Sequence, residues 1–351
     1  MAKKAVQQPV HLDCVEEALH PRLTHRLIGQ DGPLSVMARA IRAGLPPGGW
    51  LISGPPGVGK ATLAYRIARY LLAYGATDQG PADLSVPPHL HDAQLIAAGA
   101  HPGLLVLRRG INPDTGKPMT VLSVDEVRKL GSFFGMTAGA GGWRVALIDT
   151  ADDMNDAAAN ALLKLLEEPP ARAMILVLAH APGRMLPTIR SRCQKIALRP
   201  LSDAAMDAEL KNLAPDIPAE ERGGLIALSG GSLGAALRLA GSDGLMLADA
   251  ANRLIDEAKT PNVSALYTLA EKVGRIADGQ TMLGDFLLQS LSRRIRSRAL
   301  TDTSDLRPWL KVHEELAARF ARSGALHLDP RQLLLGTARH LSGASRRAGM
   351  L

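Results

Sequence analysis

A glycine-rich loop between an apolar run and a helical pattern is the feature that most constrains this chain. Residues 50–53 form the apolar run, which suits a buried strand, and the apolar residues of 61–72 repeat at helical spacing. A strand, a glycine-rich turn and a helix in this order point backbone N–H groups and the positive end of the helix at an anion. The loop residues predicted to hold nucleotide phosphates are Gly54, Gly57, Val58, Gly59, Lys60, Ala61 and Thr62. The alternative interpretation is a Gly/Pro loop in which the lysine is incidental.

The nucleotide site predicted from this loop lacks two of its chemical groups. The position after Lys60 usually offers a hydroxyl to Mg²⁺, but here it is Ala61, and Thr62 is turned away by about 100°. Asp149 ends another apolar run and is the predicted magnesium-binding carboxylate. Thr150 follows it, where ATPases of this layout usually carry a Glu that activates water. Because losing a general base costs on the order of 10²–10⁴-fold in rate, the pattern indicates a nucleotide fold that does not hydrolyse ATP.

The composition excludes several classes of protein. The 351 residues suffice for two or three domains. With only two cysteines, Cys14 and Cys193, a disulfide framework is not expected, and Cys193 is interpreted as a buried residue rather than a reactive thiol. No apolar run reaches the roughly 20 residues of a membrane span, so a cytoplasmic protein is expected. An aromatic content of 3% argues against a surface that stacks bases.

The excess positive charge lies at the C-terminal end of the chain. The net charge is +7, and residues 291–351 hold 12 Lys/Arg against 5 Asp/Glu, so the remainder is balanced. The densest group consists of Arg293, Arg294, Arg296 and Arg298. Such a group could bind DNA or an acidic protein, and its other interpretation is a solvated helix face. A stand-alone DNA-binding protein is therefore one alternative function.

The order of patterns along the chain predicts an α/β fold followed by helices. Short apolar runs alternate with helical stretches up to about residue 200, which favours a parallel sheet covered by helices on both faces. The predicted strands are Trp50–Ser53, Leu104–Leu107, Val145–Ile148, Ile175–Leu178 and Lys195–Leu198. We predict a nucleotide-binding-like module at residues 1–200, a small helical lid at 201–243 and an all-α collar for oligomerisation at 244–351.

A second motif makes the interpretation more specific. Asn155 is a good N-cap for an Ala/Leu-rich helix that Pro169 ends. Residues 160–170 read NALLKLLEEPP, and residues 186–193 read LPTIRSRC. With matching stretches at 25–30, 100–103 and 121–128, these motifs resemble the bacterial sliding-clamp loaders, which are AAA+ assemblies, and among them the delta-prime subunits of DNA polymerase III. The likeness is clear from about residue 27 to residue 199 and holds only in outline beyond it.

The resemblance implies an AAA+ P-loop module and a role for Arg192. In this family the arginine of the Ser-Arg-Cys motif reaches the ATP site of a neighbouring motor subunit, so Arg192 is the candidate arginine finger, acting in trans. The other interpretation is a structural arginine paired with a local carboxylate. Motor subunits carry a polar sensor where this chain has residues 179–181, and a lid arginine where it has Gly234. His180 is interpreted as structural, and no zinc is expected because residues 77–102 contain none of the cysteines of the family's zinc module.

Together these features predict a non-hydrolysing, delta-prime-like subunit of the DNA polymerase III holoenzyme. It would scaffold a ring and donate Arg192 to a neighbouring ATPase during loading of the sliding clamp onto primed DNA in DNA replication. The implied partners are gamma/tau motor subunits, a delta subunit and, through the complex, the clamp and primed DNA, at the nucleoid and not at a membrane. No cofactor is required, but the retained loop leaves open ATP or ADP bound without hydrolysis. The alternative is an active clamp-loader ATPase of the gamma/tau type.

Overall fold

The computed structural model describes residues 20–44, 49–77, 79–110, 119, 121–135, 142–240, 243–276, 279–301, 305–326, 328–349 and 351. Cys14 lies outside these residues. The strands are β1 (Gly49–Ser53), β2 (Leu104–Leu107), β3 (Arg144–Ile148), β4 (Ala173–Ala179) and β5 (Cys193–Ala197). The helices are α1 (Asp31–Arg42), α2 (Lys60–Tyr74), α3 (His91–Ala98), α4 (Val124–Gly135), α5 (Asp156–Glu167), α6 (Pro187–Arg192), α7 (Asp203–Leu213), α8 (Ala219–Ser229), α9 (Leu233–Ala240), α10 (Gly244–Asp256), α11 (Val263–Arg275), α12 (Gly279–Thr301), α13 (Arg307–Leu326) and α14 (Pro330–Ala348).

Among the described residues, the strands form one parallel sheet in the order β2-β3-β4-β1-β5. Because all neighbouring strands are parallel, the chain crosses over between them through helices, as the alternating pattern predicts. Strands β1, β3 and β4 are adjacent, and Ser53 at the end of β1 pairs with Ala179 at the end of β4. The residues that follow these three strand ends therefore meet at one edge of the sheet, where ligands bind in open parallel sheets.

Both faces of the sheet are buried. Helices α1, α2 and α3 pack on one face, where the core includes Ile52, Leu147 and Leu176. Helices α4, α5 and α6 cover the other face, where the alternate strand residues Leu51 and Ile148 point. This two-sided burial explains why the strands are almost continuously apolar, and it confirms the predicted α/β class.

Local sequence signals set several helix ends. The Asn155 side chain accepts a hydrogen bond of 2.9 Å from the backbone N–H of Ala158, so it caps α5 as predicted. Helix α5 ends before Pro169, as the sequence indicates. The last predicted strand is displaced: β5 runs over Cys193–Ala197 instead of 195–198. This edge strand buries only some of its side chains, so its sequence carries a weaker apolar signal.

The chain divides into two compact units. The first comprises Met1–Ile217 with Ser229–Leu237, and the second comprises Pro218–Leu228 with Arg238–Leu351. In the first unit, residues of the predicted lid bond to the glycine-rich loop, as described below. The three-part division at 200 and 243 stays a prediction.

Among its described residues, the second unit contains helices joined by short turns and no strand, and it has a core of its own. Helix α12 buries Leu283, Leu287 and Leu291, and α13 buries Trp309 and Leu316. These residues repeat at helical spacing, so each helix presents an apolar stripe that serves helix packing. No helix in the described part of the chain is long and apolar enough to cross a membrane.

Candidate functional site

The glycine-rich loop connects the end of β1 to the start of α2, where the sequence predicts it. Its three glycines have positive φ values of 151° at Gly54, 73° at Gly57 and 101° at Gly59. L-residues with side chains rarely adopt such angles, so the glycines are required by the path of the backbone. Val58 is buried, whereas Ala61 and Thr62 are half-buried in the first turn of α2. The three glycines therefore fix the path of the backbone between β1 and α2, and phosphate binding by the loop stays a prediction.

The side chain of Lys60 is bound within the chain. Its ammonium nitrogen donates hydrogen bonds to the carbonyl oxygens of Gly54 and Pro55, both at 2.8 Å. It also donates to Nδ1 of His180 at 2.7 Å, since a lysine ammonium has no acceptor. The residue is only 5% exposed. In this arrangement Lys60 points at its own loop and at the end of β4.

Residues at the start of α9 cover the glycine-rich loop. The hydroxyl of Ser232 donates to the carbonyl oxygen of Pro56 at 2.7 Å, and the Gly234 N–H donates to the Gly57 carbonyl oxygen at 3.0 Å. A Cβ atom on Gly234 would lie 2.9 Å from the Gly57 Cα, so this position has no room for a side chain. The sequence identified Gly234 as the place of a missing lid arginine, and the contact with Gly57 gives the physical reason for a glycine there.

The predicted magnesium-binding carboxylate has an internal cation beside it. Asp149 follows β3, is 5% exposed, and its Oδ2 lies 3.6 Å from Nε of Arg108. Arg108 directly follows β2, the neighbour of β3 in the sheet, so the two residues meet at the same edge. Thr150 adopts a φ of 56° and its hydroxyl donates to the Asp149 carbonyl oxygen at 2.7 Å. Sequence reasoning missed Arg108, although an arginine at the end of a neighbouring strand is a signal that could have found it.

A buried carboxylate fixes the segment after β4. Asp152 accepts hydrogen bonds from the backbone N–H groups of His180, at 3.2 Å, and Ala181, at 2.9 Å. It is 8% exposed, so the two N–H groups and the carboxylate satisfy one another away from water. The backbone of His180 is thereby held where its ring meets Lys60. His180 has the structural contacts that the sequence interpretation favoured.

Arg192 lies at the other end of the same module, at the C-terminal end of α6. Its guanidinium donates to Glu167 Oε1 at 2.5 Å and to the Thr188 carbonyl oxygen at 3.1 Å. The side chain is 37% exposed and that of Glu167 is 49% exposed. The next residue, Cys193, is buried, and burial raises the pKa of its thiol to about 11. Arg192 therefore faces solvent, whereas Cys193 packs in the core as an unreactive thiol.

Two buried arginines of α2 tie the chain ahead of α1 to the module. Arg69 is 1% exposed and donates to the carbonyl oxygens of Arg22 and Thr24 at 2.9 and 2.7 Å. Arg66 donates to the carbonyl oxygen of His25 at 3.0 Å. Burial, with the nearby charge of Arg66, lowers the pKa of Arg69 to about 10, so it stays charged at neutral pH. The sequence analysis missed both residues because an arginine on a helix is usually solvated.

The four arginines predicted as a basic patch in α12 differ in their contacts. Arg294 forms an ion pair with Asp256 at the end of α10. Arg293 and Arg296 are exposed on the opposite side of α12 from the buried Leu291. One member of the predicted patch is thus in a local ion pair, and Arg293 and Arg296 lie on a solvated helix face.

The sheet order, the glycine-rich loop after β1 and the acidic residue after β3 define the class of this protein. It has the AAA+ fold, with an α/β P-loop module and further helices. Within that class, residues 29–202 match the family described as "DNA polymerase III, delta subunit". Residues 29–202 are therefore similar to the DNA polymerase III delta-subunit family, and the chain resembles its delta-prime members.

Individual relatives agree with this assignment. DNA polymerase III subunit delta′ of Pseudomonas aeruginosa is 44% identical over 193 residues, which are 55% of this chain and 55% of the relative. The subunit delta′ of Escherichia coli K12 is 37% identical over 54% of this chain and 53% of the relative. The chain thus matches about half the length of these curated relatives. DNA polymerase III subunit gamma/tau of Mycobacterium tuberculosis H37Rv is 29% identical over 53% of this chain and 30% of the relative.

A solved structure is also similar in outline. The DNA polymerase III gamma subunit-related protein of Thermotoga maritima aligns over 90% of this chain and 100% of its own, with 16% identity and a TM-score of 0.42. The fold assignment rests on the sheet order, the loop and the family match.

Proposed function

We propose that this chain is a non-hydrolysing subunit of the DNA polymerase III clamp loader. It scaffolds the ring and donates Arg192 to the ATP site of a neighbouring gamma/tau motor subunit while the sliding clamp is loaded onto primed DNA. The observation that carries the proposal is a contrast within one module. Lys60 is buried in contacts with its own chain, whereas Arg192 is held at the surface.

The contacts of Lys60 support the absence of ATP hydrolysis by this chain. An ammonium group has three N–H donors, and the carbonyls of Gly54 and Pro55 together with His180 match all three. A nucleotide would have to replace these charge-assisted bonds before Lys60 reached its phosphates. ATP or ADP binding is therefore opposed by the chain's own residues, and no nucleotide is required in the proposed role.

The rest of the local site supports the same conclusion. Ala61 offers no hydroxyl to Mg²⁺, and Thr150 offers no general base. Arg108 already neutralises the charge of Asp149, so a divalent cation beside it would meet a guanidinium as well as a carboxylate. Ser232 and Gly234 occupy two carbonyl oxygens of the loop and hold its backbone in place. Four separate features thus oppose the metal-assisted chemistry of an ATPase.

Arg192 has the properties required of a residue that acts in trans. A guanidinium presents five donors in a planar fork, and within the described residues the side chain of Arg192 contacts Glu167 and the Thr188 carbonyl oxygen. It can therefore reach phosphoryl oxygens of a neighbouring subunit through its remaining donors. Such an arginine contributes about 10³–10⁵-fold in rate to phosphoryl transfer in the NTPases that use one.

The test is the ATPase activity of a clamp loader reconstituted with the Arg192→Ala subunit. We expect the hydrolysis rate at the site served by Arg192 to fall by about 10³-fold, with the complex still assembled by gel filtration. Arg184→Ala is the matched control, since it removes another exposed arginine before α6. An unchanged rate in an assembled complex would contradict the finger role.

The alternative, an active motor, rests on the likeness to the gamma/tau subunits. An active motor would hydrolyse ATP at a rate that depends on Lys60 of this chain. If a Lys60→Ala subunit lowered ATP hydrolysis by the isolated chain from a normal AAA+ rate, the motor function would be supported and the proposal would fail.

A further inference from the structure

The partner of Arg192 in the described chain is a carboxylate at the end of a helix. Glu167 is the last residue of α5, and its Oε1 accepts the hydrogen bond from the Arg192 guanidinium. The same guanidinium donates to the Thr188 carbonyl oxygen, one turn earlier on its own helix. Both side chains are more than a third exposed. The contact joins α5 to α6 at the surface of the module.

The position of Glu167 is locally unfavourable without this contact. The C-terminal end of a helix carries a partial negative charge, so an acidic residue in the last turn is repelled by it. Glu168 adds a second carboxylate directly afterwards, and it is exposed. Arg192 offsets this repulsion for Glu167, because its guanidinium is 2.5 Å from that carboxylate.

The same contact opposes the approach of a phosphate. A phosphoryl group that binds the Glu167-facing nitrogen of Arg192 must displace the carboxylate, since both are anions that seek the same donors. While the pair is formed, the charge of Glu167 also cancels part of the attraction between Arg192 and a nucleotide. Exposed ion pairs are weak and are readily exchanged for another partner. Glu167 can therefore hold Arg192 without trapping it.

We propose that Glu167 is a positioning residue that holds Arg192 at the surface in the free subunit and competes with the neighbour's nucleotide for its guanidinium. This inference rests on the proposed function of Arg192 as a finger. The residue tunes the nucleotide concentration at which the finger engages. Glu167 does not contribute to the rate of ATP hydrolysis once the Arg192 side chain has left it and bound the phosphate.

The test is a Glu167→Gln subunit in the reconstituted clamp loader, with ATP as the titrated ligand. We expect the KM for ATP at the site served by Arg192 to fall by about two- to fivefold, which is the range of an exposed ion pair, while kcat stays unchanged. Glu168→Gln is the matched control, because it removes an adjacent exposed carboxylate, and we expect it to change neither constant. A structural role of Glu167 alone would not lower KM.

A double variant makes the two proposals separable. If Glu167 acts through Arg192, Glu167→Gln has no effect on KM in the Arg192→Ala background. Equal effects of Glu167→Gln and Glu168→Gln, with Arg192→Ala still impaired, would overturn the role of Glu167 and leave the finger intact. A fall in kcat with Glu167→Gln would also overturn the proposed role of Glu167, since Glu167 would then assist Arg192 after the arginine has bound the phosphate. If Arg192→Ala has no effect, both proposals fail.

Discussion

The glycine-rich loop and the Ser-Arg-Cys segment at residues 191–193 belong to the same module, but the cationic residue of each has different contacts. Lys60 is 5% exposed and bonds to two carbonyl oxygens of its own loop. Arg192 is 37% exposed and is held by a surface carboxylate and one carbonyl oxygen. Separating Lys60 from its partners therefore costs more free energy than separating Arg192 from its partners, because an exposed charge is readily rehydrated and a buried charge is not.

The contrast indicates that the residues of a nucleotide-site motif can be required for packing of the backbone. The glycines of the loop are needed for its backbone angles, and Gly57 is also needed for the close approach of α9, whether or not a phosphate is bound. The Ser-Arg-Cys segment has no such packing requirement at Arg192. Arg192 forms an exposed ion pair with Glu167 but fills no packed position, so it is the better candidate for function, and three changes test that distinction.

The largest stability effect is expected for Gly57→Ala. The residue has a φ of 73°, and a Cβ atom there would lie 2.5 Å from the Ser232 hydroxyl oxygen and 3.0 Å from the Ala235 nitrogen. The combined backbone strain and overlap should lower the free energy of unfolding by about 2–4 kcal/mol. Urea unfolding, followed by circular dichroism, measures the effect.

The control is a substitution at Gly183, an exposed glycine that precedes α6 in the chain. A Cβ atom on Gly183 would meet no heavy atom within 4 Å, so Gly183→Ala should change the free energy of unfolding by less than about 0.5 kcal/mol. If Gly57→Ala were as mild as Gly183→Ala, the loop would not be packed against α9, and the contrast between the two regions would be lost.

A smaller effect is expected for Ser232→Ala. The Ser232 hydroxyl donates to the Pro56 carbonyl oxygen and accepts from the Ala235 N–H at 3.2 Å, so it fastens the loop and caps α9. We expect a loss of about 1–2 kcal/mol in the free energy of unfolding, measured by the same urea titration.

A second capping serine isolates the contribution of the loop contact. Ser202 accepts from the Ala205 N–H at 3.3 Å at the start of α7. Ser202→Ala should therefore cost only the capping term, about 0.5–1 kcal/mol. Equal losses for the two variants would mean that the bond from Ser232 to the loop adds nothing to stability.

Much of the fold was predictable from local patterns in the sequence. Four of the five strands lie where their apolar runs predicted them, because a sheet buried on both faces demands continuous apolar residues. The Asn155 cap was predictable because capping depends on neighbouring residues. The strand β5 was misplaced by two residues, since an edge strand with exposed side chains gives little apolar signal.

The contacts of the candidate site were less predictable. The sequence identified Lys60, Asp149 and Arg192, but not the partners that decide what each can do. Arg108 and Ser232 come from parts of the chain far from their partners, and only the folded topology brings them together. Charge and spacing along the chain carry no information on which of several arginines pairs with which carboxylate.

The smallest effect is expected for Arg192→Ala on the stability of the free subunit. The ion pair with Glu167 is exposed on both sides, so its loss should lower the free energy of unfolding by less than about 1 kcal/mol. Urea unfolding of the isolated chain measures this, with Arg184→Ala as the reference. A loss above about 2 kcal/mol would assign Arg192 a structural role like that of the loop glycines. Because the expected loss is small, a fall in ATPase activity of the assembled Arg192→Ala complex would report on the neighbouring nucleotide site and not on unfolding of this subunit.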